Sequence, residues 1–159
     1  MENTWRDIVA ASLDWRQAHV AFDEVVASWP AGLRGVRPDG YPHSGWELAE
    51  HLRLTQADLL DYMENAAYVA PPWPKAYWPG TQAPPSEAAW DDSIAGYQRD
   101  REALKVLARR PTLDLTQQIP WAEGPHTYLR TILVAVDHGA YHVGQLVSVR
   151  RLLGIWPVP

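Results

Sequence analysis

The chain has 159 residues and a mass of 17.9 kDa, with 47% hydrophobic and 21% charged residues, the balance of one soluble domain able to bury a core without disulfides or a structural metal. Its 14 basic and 19 acidic residues are interleaved and sum to −5, so no basic stripe exists to neutralise a nucleic-acid backbone, and DNA or RNA binding is not expected. The absence of cysteine removes thiolate ligands, a cysteine nucleophile and disulfides, so any thiol in the chemistry must arrive as a cosubstrate.

No stretch approaches the roughly 18 uninterrupted apolar residues of a membrane span, and Asp7, Asp14, Asp23 and Glu24 punctuate the first thirty positions. The expectation is a cytoplasmic protein, with residues 1–159 forming a single domain. Taken in order, the segment from about Thr4 to Trp29 places Ile8, Ala11, Trp15, Ala18, Phe22 and Val26 on one stripe, which predicts one amphipathic helix with His19 at its border. Pro30, Gly32, Gly35, Pro38, Gly40 and Pro42 then break the chain. Ser44 with Glu47 forms a capping box that opens a second helix, whose inward stripe is Leu48, Leu52, Thr55, Leu59, Tyr62 and Met63. His51 lies at the edge of that stripe, with Glu47 and Asp58 on the same flank.

The connection from Ala70 to Pro85 carries six prolines together with Trp73, Tyr77 and Trp78. It is too long for a plain turn and too aromatic for a linker, which predicts a folded cover, a lid over a site or a loop pinned outside the bundle. Ser86 caps a third helix to about Arg110, with Trp90, Ile94, Tyr97, Leu104 and Leu107 inward. Its Arg99, Asp100, Arg101, Glu102 and Lys105 read as a solvated face of local ion pairs. After a connection from Pro111 to His126, Thr127 caps a fourth helix that runs to about Leu153, with Gly154 as its stop and Arg150 and Arg151 near its negative end. One face of that helix holds Leu129, Ile132, Leu133, Val136, Ala140, Val143 and Val147. The other holds His138 and His142 among Val134, Ala135, Leu146, Val149, Leu152 and Leu153. A helix apolar on two faces is buried on both, which points to a central position or to a homodimer interface.

The spacing His138-Gly139-Ala140-Tyr141-His142 turns two imidazoles toward one point, because four residues advance a helix by about 400° and roughly 6 Å. Six histidines in this length give roughly 0.2 such pairs by chance, so spacing alone is a weak signal. Two ligands from one helix leave a transition ion under-coordinated, and His51 on the second helix is the best third. Gly139 stands where a zincin requires glutamate, the one histidine that follows a glutamate by three positions (His126, after Glu123) lies in a connection whereas di-iron bundles need two such pairs on helices, and no G-x-S-x-G elbow exists. What remains is a mononuclear site of His51, His138 and His142, or buried histidines without an ion.

The fourth-helix string D-H-G-A-Y-H-V-G-Q-L followed by R-R-L-L-G, with A-E-H-L in the second helix, resembles the DinB/YfiT-like family of metal-dependent enzymes over nearly the whole chain. The resemblance implies an all-α, up-and-down four-helix bundle with a long second connection, commonly dimeric. It implies one divalent ion, zinc or nickel, on His51, His138 and His142. Family activities include metal-dependent hydrolysis and transfer or isomerisation with low-molecular-weight thiols. Glu47, Asp58 and Tyr141 are candidates for supporting the ligands or moving a proton, since a metal-bound imidazole needs a partner for its second nitrogen. The leading expectation is a metal-dependent hydrolase or thiol-dependent transferase acting on a small molecule. The alternative is a non-catalytic metal- or ligand-binding stress protein on the same bundle.

Overall fold

A computed structural model describes residues 4–157, whose regular elements are helices: α1 (Thr4–Ser12), α2 (Phe22–Val26), α3 (Gly45–Glu64), α4 (Glu87–Arg109) and α5 (Tyr128–Leu152), with 3-10 turns at Ala31–Leu33 and Lys75–Tyr77. The local signals set their ends. Ser44 and Glu47 form both halves of the capping box of α3. The side chains of Ser86 and Thr127 accept from the backbone N–H groups of Ala89 and Arg130, capping α4 and α5. Gly154, at φ 72°, closes α5: its N–H donates to the Arg151 carbonyl, and the Ile155 N–H to that of Arg150. That pairing is a Schellman motif, and its positive φ suits glycine.

The helices do not alternate strictly up and down. Gln56 of α3 donates to the Tyr97 carbonyl of α4 at 2.7 Å, and Glu64 meets Arg110 at 2.7 Å, so α3 and α4 run parallel. Tyr62 meets His126 and His51 meets His138, which sets α5 antiparallel to α3. Arg6 reaches the carbonyls of Ala108 and Arg110 while Asp23 reaches Arg101, which sets the first segment antiparallel to α4. The order is up, down, down, up. The bundle expectation holds, and the long second connection is the segment that returns the chain over the length of α3, about 30 Å at 1.5 Å per residue.

The single helix expected from Thr4 to Trp29 is broken. α1 ends at Ser12 and α2 covers only Phe22–Val26. Trp15 and Ala18, assigned to the apolar stripe, lie exposed in the break. The reason lies on α4. Arg101 is 5% exposed and pairs with Asp23 at 2.7 Å and with Asp14 at 3.6 Å, while Lys105 also binds Asp14. In a continuous helix those carboxylates would stand about 13.5 Å apart along the axis and could not share one guanidinium. Arg101 and Lys105 are therefore the clasp for the first segment and not part of a solvated face.

The second apolar face of α5 is covered only in part, since Leu133 is 49% exposed and Leu152 58%. Arg150, expected near the negative end of the helix dipole, lies there and is buried. Its guanidinium donates to the carbonyls of Val25, Ala27 and Ile155 and rests on the Trp29 ring, which ties α5 to the chain after α2. The core forms two clusters. One gathers Phe22, Val25, Trp29, Leu52, Trp90 and Val143, and the other Met63, Leu104, Leu107, Leu115 and Ile132.

Candidate metal centre

α3 presents His51 two turns from its start, and α5 presents His138 and His142 one turn apart. One nitrogen from each of the three lies within 4.8 Å of the others. His51 and His142 are buried, and His138 is half-buried. The Nε2 atoms of His51 and His138 are 3.2 Å apart. Two nitrogens each 2.0–2.1 Å from a tetrahedral ion stand about 3.3 Å apart, so this edge already has ligand geometry.

The outer nitrogens explain which atoms point inward. His51 Nδ1 is 2.5 Å from the Tyr77 carbonyl oxygen, which only accepts, so Nδ1 carries the hydrogen. His142 Nδ1 is 2.6 Å from Gln145 Oε1, whose amide nitrogen donates to the Tyr141 hydroxyl. The Thr55 hydroxyl donates to the His51 carbonyl, leaving its oxygen free to accept from His138 Nδ1 at 3.4 Å. All three imidazoles thus turn an Nε2 lone pair toward one point, the arrangement in which metal-bound histidines are held. Burial and then the neighbouring His51 push His138 down to about 4. Burial, His138 and His51 push His142 down to about 3, and burial lowers His51 as well. The neutral, ligating forms therefore prevail at pH 7.

The long connection forms the roof. Trp78 stacks on His51 with ring centres 3.9 Å apart, and His43 stacks on Trp78 at 4.4 Å. Ser44 holds the next stretch by donating to the Gln82 carbonyl. The folded cover expected from its aromatics is present, pinned over the α3–α5 groove.

The other candidates sit outside this cluster. Glu47 is buried in its capping box and paired with Arg37. Asp58 accepts from Tyr68 at 2.8 Å and from Tyr77 at 3.0 Å, so its link to His51 runs through Tyr77. Tyr141 is 63% exposed, edge-on to His142, and connected through Gln145. Sequence reasoning missed Gln145, although H-x-x-Q on one helix face was there to be read. It also missed Tyr77, whose contribution is a backbone carbonyl that no side-chain pattern reports. Gly139 sits close to α4: a Cβ there would lie 3.2 Å from the Tyr97 hydroxyl, so a larger side chain fits only if Tyr97 gives way by a few tenths of an ångström.

Three neutral imidazoles converging from two helices can hold a divalent ion and leave a coordination position free. No helix among the described residues is long and apolar enough to cross a membrane. No curated protein and no solved structure matches the chain. The model of the DinB superfamily matches residues 14–146, from the break after α1 to a point in α5 beyond His142, and the chain belongs to that superfamily.

Proposed function

We propose that the protein is a divalent-metal-dependent enzyme in which His51, His138 and His142 each give one Nε2 atom to a zinc or nickel ion. Such an ion supplies Lewis acidity, which makes water, for hydrolysis, or an external low-molecular-weight thiol, for transfer to an electrophile, nucleophilic near neutral pH. The observation that carries this reading is the tautomer set: three separate acceptors occupy the three Nδ1 atoms and aim the three Nε2 atoms at one another. Buried histidines of the core have no need of that convergence, which places lone pairs face to face.

The remaining residues hold this set in place. Tyr77 and Gln145 orient His51 and His142. Asp58 anchors the Tyr77 hydroxyl, Tyr141 steadies the Gln145 amide, and Glu47 with Arg37 fixes the start of α3. Trp78 covers one face of His51 and keeps water from it. In this reading the subunits pair through the apolar side chains that α5 leaves exposed, Leu133 and Leu152, with Tyr141 on the same helix. Sedimentation of a stable monomer at micromolar protein removes that pairing.

Elemental analysis of protein purified without a histidine tag or nickel column is expected to find about one divalent ion per chain. In His142→Ala, with helical content checked by circular dichroism, the ion content should fall to background. Full metal content in that variant overturns the site. Hydrolysis is separated from thiol transfer by assaying esters and electrophiles with and without added thiol.

A further inference from the structure

A second recess opens in the α3–α5 groove, beneath the start of the long connection and beside the loop that precedes α5. Its volume is about 530 Å³, inside the usual range of small-molecule sites. It shares none of its lining with the three histidines. Asp58 lies seven residues beyond His51 on the same helix face, about 10 Å along the axis, and the Tyr77 side chain is bonded to Asp58 on the way.

The walls have a definite chemistry. Tyr62 and Tyr68 stand edge to face with ring centres 5.0 Å apart, and the Tyr68 hydroxyl donates to Asp58. The Trp121 N–H is bonded to the Tyr62 carbonyl at 2.8 Å, which fixes the indole as an apolar wall. The Tyr62 hydroxyl is bonded to His126 at 2.8 Å. At the rim stand Glu123 and Arg130, exposed charges of opposite sign. Among the described residues neither forms an ion pair. Both line the recess with Tyr62 and act on it through their charge: burial raises the Tyr62 pKa, Arg130 pulls it down and Glu123 pushes it up.

We propose that this recess is a second small-molecule site, separate from the histidine centre, that takes a compact zwitterion of free amino-acid size, with an amine, a carboxylate and an apolar or aromatic frame. The amine meets Asp58 and Glu123 among aromatic faces, where a cation is favoured both by charge and by the ring quadrupoles. The carboxylate meets Arg130, whose planar fork suits it. The frame lies on Leu59 and Trp121. A simple amine leaves Arg130 unmatched, and a simple acid sets its charge against Asp58.

The test titrates L-phenylalanine, 2-phenylethylamine and 3-phenylpropionate into the full-length protein by calorimetry, after chelation so that the amino acid cannot bind through a metal. L-Phenylalanine is expected to saturate the protein and to bind at least tenfold more tightly than either single-charge analogue. Arg130→Gln should remove that advantage over 2-phenylethylamine, and His142→Ala should leave it intact. The proposal is overturned by no saturable binding up to about 10 mM, a weak limit on the affinity scale. It is equally overturned by equal binding of the three probes, by indifference to Arg130→Gln, or by loss of binding in His142→Ala, which would put the amino acid at the histidine centre.

Discussion

Each histidine of the centre is defined as much by what its Nδ1 touches as by where its ring lies. His142 depends on Gln145, a side chain three residues on, and removing that acceptor frees both ring orientation and tautomer. Gln145→Ala is expected to weaken metal binding about 10–100-fold, the usual cost of losing such a partner, as read by competition with a chromophoric chelator. Tyr141→Phe should change affinity less than about threefold, because the hydroxyl acts only through an exposed 3.3 Å contact to Gln145. The histidine pair of α5 was legible, because helical spacing aims His138 and His142 together whatever the surroundings. The partners of His51 and His138 were not, since one is the carbonyl of Tyr77 and the other a threonine that the pattern shows only as an inward-facing position.

At the level of elements, three of the four expected helices lie where capping residues and periodicity put them, and the first does not. A period of 3.6 continues through Trp15 and Ala18, but Arg101 draws Asp14 and Asp23 together, and that tertiary demand overrides the local pattern. Arg101→Ala leaves both carboxylates without their buried partner. It should cost roughly 2–3 kcal/mol, less than a fully buried pair because Asp23 is partly solvated, and show as a lowered urea midpoint. Arg99→Ala, on the same helix with a solvated side chain, should shift stability by less than about 0.5 kcal/mol. Both positions carry the same residue type in the same charged run, so only the opposing segment distinguishes them.

For the whole molecule, the site makes stability depend on pH even without an ion. In the folded chain His138 and His142 titrate at about 4 and about 3, against an ordinary 6.5. Between those values the unfolded chain binds more protons than the folded one, so stability falls as pH drops from about 6.5 toward 4 and levels off once the folded groups also protonate. Chelated protein should therefore melt lower at pH 5 than at pH 7.5, and the difference should shrink in His142→Ala, as measured by calorimetry. The sequence alone determined the helical class, the caps that start α3, α4 and α5, the glycine that ends α5, and the common aim of His138 and His142. All of these rest on contacts within a turn or two, or on helical spacing. Only the tertiary structure decided the parallel course of α3 and α4, the break after α1, the roof of Trp78 and the carbonyl that orients His51. These depend on groups 26 to more than 80 residues apart, and their meeting is settled by which buried charges and backbone groups find partners, which no local period encodes.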